Sequence, residues 1–409
     1  MSTKLSLSSF NLSLPVIALT LILITSASAG TEQVLFRSTN IPGTLIFDSA
    51  GNLYGMTYCG GRYNGGTVFK LSPSSGGAWT ETVLHSFDPL NHKDGGYPYP
   101  VASLLFDSVG NLYGPTTSGG EFEEGTAFEL TPGSNGSWTE TTLHSFAGLS
   151  DGDDGAQPLS NLVFDASGNL YGTTTTGGSG NAGTVFELSP GKGGWTEKVL
   201  YSFSPSNRDA MRPIGGVVFD GTGNLYGTGS SGGRGLGAVF ELSPGSNGTW
   251  TETVLHKFKG GADGGSPFAG LVIDTVGNLY GTTQGGGARG KGVVFALTPA
   301  SGGGWITKVI YSFMGAPGDG GVPLGTLILD AARNLYGTTL FGGTNKLGTV
   351  FKLMPASGGG WTESVLYSFT GSSNGRNPSV GVILDPRGNL YGTAAVPRRG
   401  HGIVFEITP

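Results

Sequence analysis

Ionisable side chains in this 409-residue chain gather in a few short stretches, and the most acidic runs Glu121, Phe122, Glu123, Glu124 and then Asp151, Asp153, Asp154. Carboxylates at this density could supply a general acid and base or grip a polar ligand; otherwise they make a solvated rim. Basic groups stand elsewhere: Arg62 beside Tyr63, then Arg234, Arg289 and Lys291, then Arg398 and Arg399 near His401. Of the five histidines, His85, His144 and His256 share a place in the pattern V-L-(H/Y)-S-F with Tyr201, Tyr311 and Tyr367. They read as flat packing rings, which leaves His92 and His401 for proton transfer. Cys59, the one cysteine, aligns with Ser118 and reads as a substituted small residue with no base beside it. Asp94, Asp154, Asp263 and Asp319 each open a D-G-x-x-P stretch or a near relative, most simply a turn. A ring of them around a channel could hold calcium. Nothing spells a catalytic triad, a zinc set or a phosphate loop.

What positions these residues is a repeat. G-N-L-Y-G recurs, once as R-N-L-Y-G, and its asparagines at 52, 111, 169, 224, 278, 334 and 389 are spaced by 59, 58, 55, 54, 56 and 55 residues. Each motif follows an aspartate in the frame D-x-x-G-N: Asp48, Asp107, Asp165, Asp220, Asp274, Asp330 and Asp385. One acid per loop is too few for calcium, whereas Asp, Gly and Asn suit a hairpin turn. Four strand-like runs follow one another in each copy, as in 102–106, 111–117, 125–130 and 138–146. Four strands per repeat of this length predict an all-β, seven-bladed β-propeller.

The ends of the chain sharpen that expectation. After the seventh motif only a third run remains, Gly402 to Thr408, while Thr31-Glu-Gln-Val-Leu-Phe-Arg-Ser38 matches Thr80-Glu-Thr-Val-Leu-His-Ser-Phe87. Residues 31–38 are therefore expected to complete the last blade. All six tryptophans begin a fourth run, which gives the same count of six whole copies and one split copy.

Composition agrees. With 77 glycines, 22 prolines and 12% charged residues, long helices are excluded. A net charge of −6 gives no field for nucleic acid. Lys4, the apolar run Leu14 to Ile24 and Ala27-Ser-Ala29 have the layout of a secretory signal peptide. The expected organisation is a signal peptide at 1–29 and one propeller domain at 30–409, with no membrane insertion after cleavage.

The unit D-x-x-G-N-L-Y-G-T-T…G-G…G-T-V-F-x-L-x-P…W-T-E-x-V-L-(H/Y)-S-F resembles the GloVer tandem repeat of exported bacterial proteins, known as choice-of-anchor repeat proteins, across residues 31–409. The resemblance implies an extracytoplasmic, propeller-like protein and carries over no catalytic residue. The chain departs from that pattern by ending on a strand without an anchor segment, so release, or retention by a partner, is expected. Because the repeated letters are framework, function is sought where the copies differ, in the loops between strands two and three and between blades. Those loops should share one face carrying the acidic and basic residues named above. The expectation is a monomeric, secreted or cell-surface binding module for a glycan, a peptide or a surface protein, without a resident cofactor. The alternative is a metal-assisted enzyme of the lyase or lactonase kind.

Overall fold

Each repeat folds as an antiparallel meander because glycine, aspartate and asparagine close a turn after every short β-rich run. In the first blade the strands are Ile46–Phe47, Leu53–Thr57, Thr67–Pro73 and Trp79–Ser86, paired in that order. The structure is a computed structural model in which residues 30–409 are described, apart from 206–208, 233–234, 316, 399 and the side chain of Asp151. The expected signal peptide lies outside the described residues, as do Arg234 and Arg399.

The described residues form seven four-stranded sheets, and the protein is a seven-bladed β-propeller. The last blade is assembled from both ends of the chain in the order Thr31–Ser38, Gly402–Thr408, Leu390–Ala395, Ile383–Leu384. Its outer pair is antiparallel, from Thr31 opposite Thr408 to Ser38 opposite Gly402. Leu35 and Val404 of this blade pack with Leu45, Leu53 and Phe69 of the first, which closes the ring.

The core is distributed over the seams between blades. In each second strand the Leu of the motif faces one neighbour and the Tyr the other: Tyr54 packs with Leu112, and Tyr171 with Leu225. A phenylalanine just after the fourth strand meets the third-strand phenylalanine of the next blade edge to face, as in Phe87–Phe128 at 5.2 Å, Phe146–Phe186 at 4.9 Å and Phe369–Phe405 at 5.2 Å. Burying one such ring is worth roughly 1.5–3 kcal/mol before its geometry adds more. At the closing seam Ser38 holds the place of that phenylalanine, and Phe36 packs there where the other seams carry His or Tyr.

Two local features depart from a plain reading of strand periodicity. The innermost strands are two residues long, Leu105–Phe106 where the sequence suggests 102–106. Near the axis the blades crowd, and this backbone divides its bonds between its own blade and the neighbour: Gly43 N–H donates to Met56 O at 2.8 Å and Thr44 N–H to Pro100 O at 3.0 Å, and a Cβ on Gly43 would lie 2.7 Å from the Pro100 oxygen. The second feature is a bulge in every outer pair, for example where Phe69 faces Val83 but Val68 faces His85. The extra residue lets consecutive side chains both turn inward, leucine into the core and His or Tyr towards the next blade.

Candidate functional site

The motif aspartates occupy turns on one face of the ring. Asp330 accepts from Asn334 N–H at 2.8 Å, Asn334 Nδ2 at 2.7 Å and the Tyr336 hydroxyl at 3.0 Å. Asp48, Asp107, Asp165, Asp220, Asp274 and Asp385 accept from the same three groups of their own copies. Burial would raise the pKa of Asp330, but these donors outweigh it and hold the carboxyl below its ordinary value. On this face tryptophans line grooves that sequence reasoning passed over. One of about 650 Å³ lies among Trp79, Phe47, Asp385, Arg387 and Tyr391.

The two variable loop sets share the opposite face, because they pair with each other. Gly95–Gly96, leaving the first blade, forms a two-residue ladder with Ser118–Gly119 of the second, and the pattern recurs at Gly155–Ala156 with Thr176–Gly177. Glu121, Phe122 and Glu123 are exposed, Glu124 is half-buried, and Asp153 is exposed. His92, Arg289, Lys291 and Arg398 are exposed as well. Arg62 lies over the ring of Tyr63 at 5.2 Å, and His401 closes a tight turn by donating its N–H to Arg398 O. Among the described residues no ion pair joins the acidic loop of the second blade to the basic loops.

What the structure does bring together is a cleft of about 350 Å³ in which Glu121 and Phe122 meet His144 and Asp154. Here the interblade aspartates show their role. His85, His144 and His256 each direct Nε2 at the loop aspartate of their own blade, Asp94 at 3.2 Å, Asp154 at 3.1 Å and Asp263 at 3.1 Å. Tyr201 and Tyr311 hold the corresponding places beside Asp209 and Asp319, whose charges help to raise the phenol pKa values after burial. Asp94, Asp154, Asp263 and Asp319 thus turn towards the outer strands. The axial cavity of about 190 Å³ is lined instead by groups such as Leu45, Ile46, Leu327, Ile328, Val382 and Ile383.

From the next blade, the glutamate of W-T-E reaches the same seam. Burial, reinforced by the charge of the loop aspartate, pushes the carboxyls of Glu140, Glu197 and Glu363 up to about 7, and burial does the same for Glu252. These glutamates were not singled out in the sequence, where the alternation of the outer strand makes them look like solvent-facing residues.

A second feature without a sequence signal lies where six of the seven interblade loops turn into the inner strand. Tyr97, Gln157, Arg212, Ser266, Val322 and Asn377 each precede a proline and all have φ between 51° and 60°. Left-handed backbone is unfavourable for such residues, most of all for branched valine. The N–H of each donates to the preceding blade's loop, as in Tyr97 to Gly65 O at 2.6 Å and Asn377 to Leu347 O at 2.6 Å. The backbone is repeated while the side chain differs every time. Tyr97 also packs on exposed Tyr58, with ring centroids 5.4 Å apart. Cys59 Sγ donates to Asn40 Oδ1 at 3.4 Å.

A ring of seven such blades with a variable loop face defines a propeller of tandem-repeat type. The chain belongs to the Gloeobacter/Verrucomicrobia repeat family, whose repeat matches residues 37–162, 134–328 and 223–409. No curated protein matches it by sequence. Among solved structures it is similar to virginiamycin B lyase from Staphylococcus aureus, at TM-score 0.55 and 12% identity over 93% of this chain and 99% of that one. It is also similar to an ancestral GH74 enzyme, at TM-score 0.56 and 11% identity over 91% of this chain and 48% of that one. A third likeness is to the extracellular domain of a one component system from B. thetaiotaomicron, at TM-score 0.52 and 11% identity over 92% of this chain and 40% of that one. At these identities the likeness concerns the fold.

Proposed function

We propose that the protein is an exported binding module that holds a glycan, a peptide or a surface protein on its variable loop face. The observation that carries this reading is the set of six residues before proline, one repeated strained backbone presenting Tyr97, Gln157, Arg212, Ser266, Val322 and Asn377. Strain kept in six of the seven interblade loops while the side chain changes suits a surface whose scaffold is fixed and whose recognition is not. The neighbouring Tyr58–Tyr97 pair adds an aromatic platform, and Gln157 and Arg212 add exposed hydrogen-bonding groups. Export is supported by the signal-peptide layout of residues 1–29. Glycan arrays and surface pull-downs with the parent and with a Tyr58→Ala/Tyr97→Ala/Arg212→Ala variant test the reading. A ligand of this face should lose at least about tenfold in affinity. Retention of every hit at parental affinity removes this face from consideration.

The metal-assisted enzyme reading is favoured by a different observation, the meeting of His144 and Asp154 with Glu121 in one cleft.

A further inference from the structure

We propose that His144, Asp154 and Glu197 form a site for one divalent transition-metal ion of the zinc class, at the seam between the second and third blades. One donor atom from each of the three side chains lies within 4.8 Å of the other two, and among the described residues they are the one such group of three. His144 comes from the outer strand Trp138–Ser145, Asp154 from the loop after it, and Glu197 from the outer strand Gly194–Ser202 of the next blade. The site therefore depends on the packing of two blades.

The seam is incomplete without a further partner. Asp154 Oδ2 accepts from Ala147 N–H at 2.8 Å as well as facing His144, and Oδ1 accepts from Gly155 N–H at 2.6 Å, which locks the carboxylate in place. Glu197 Oε1 is shielded from solvent and has no hydrogen-bond partner. A buried acceptor left in that state is costly, and a cation between it and Asp154 would remove the cost. One imidazole with two carboxylates is a donor set for zinc or a neighbouring transition metal, whereas calcium takes oxygen alone. The cleft beside His144 and Asp154 leaves room for a water or ligand as the remaining donor.

Comparison of the seams shows why the site is confined to one of them. At the first seam, His85 and Asp94 face Glu140, but Glu140 Oε1 accepts from the Thr142 hydroxyl at 3.1 Å, a donor replaced by Val199 beside Glu197. At the seam of His256 and Asp263, Thr307 stands where the glutamate would be. Where tyrosine replaces histidine the imidazole is missing; there Glu252 Oε1 accepts from Ala210 N–H, and Glu363 Oε1, also without a partner, faces Tyr311 and Asp319.

The test is titration of the chelator-treated, dialysed protein with zinc ion, read by calorimetry, together with zinc-edge anomalous diffraction from crystals soaked in zinc. The expected result is one ion per chain and an anomalous peak between His144 Nε2 and Glu197. Affinity should fall more than about tenfold in Glu197→Gln and in His144→Ala, and stay at the parental value in His85→Ala. Circular dichroism establishes that each variant is folded, and the diffraction experiment on the parent decides independently of them. No stoichiometric binding, an ordered water in place of the anomalous peak, or unchanged affinity in folded Glu197→Gln would overturn the proposal.

Discussion

Two kinds of carboxylate in this protein are tuned in opposite directions by their surroundings. The turn aspartates Asp48, Asp165, Asp220 and Asp330 are held low because amide and hydroxyl donors outweigh their burial, so their stabilisation is present above the ordinary aspartate range and is lost as pH falls through their depressed values. For Glu363, burial and then Asp319 raise the carboxyl from 4.5 to about 7. The folded state thus keeps a proton that the unfolded chain releases between those values, and stability falls as pH rises through that window. Thermal stability should peak near the lower edge of the window. Melting the parent and Glu363→Gln at about pH 4.5 and about pH 7.5 checks this. The parent should lose several degrees at the higher pH and the variant less; an identical loss would show that Glu363 is not held protonated by the seam. Such pairings were illegible in the sequence. His144 and Glu197 are separated by a blade boundary, and Glu197 sits at a strand position whose alternation reads as solvent-facing. The residues before proline carry no signal in their types, because the repeated quantity is a backbone angle.

At the scale of single elements, the motif, its turn and the split last blade could be read directly, because D-x-x-G-N-L-Y-G sets both a turn and the two faces of the following strand. The inner strands were overestimated because sequence does not reveal how closely seven blades crowd at an axis, where Gly215 meets the backbone of Gly270 in the next blade with no room for a Cβ of its own. The element with most at stake is Thr31–Ser38, which covers the edge of Gly402–Thr408 and buries Leu35. Removing residues 31–38 should expose that edge as a template for pairing with other chains. Size-exclusion chromatography and thermal melting of the deletion variant should show aggregation and a lower midpoint; a monomer that melts like the parent would contradict the latch.

For the whole molecule, stability and the placement of the variable loops both follow from closure. Seven similar seams share the core, no disulfide can form within a chain whose one cysteine is Cys59, and the ring is held by packing and by backbone pairing in the last blade. Closure also sets the variable loops side by side on one face while the repeated turns and tryptophan-lined grooves occupy the other. The most direct test joins the two ends. Thr31 and Thr408 are opposed across the outer pair of the last blade, and both are exposed. In a Cys59→Ser background, Thr31→Cys and Thr408→Cys should oxidise to an intramolecular disulfide and raise stability by about 2–4 kcal/mol, because the link closes nearly the whole chain. Free thiols or only intermolecular dimers after oxidation would mean that the ends do not meet and that the ring is open.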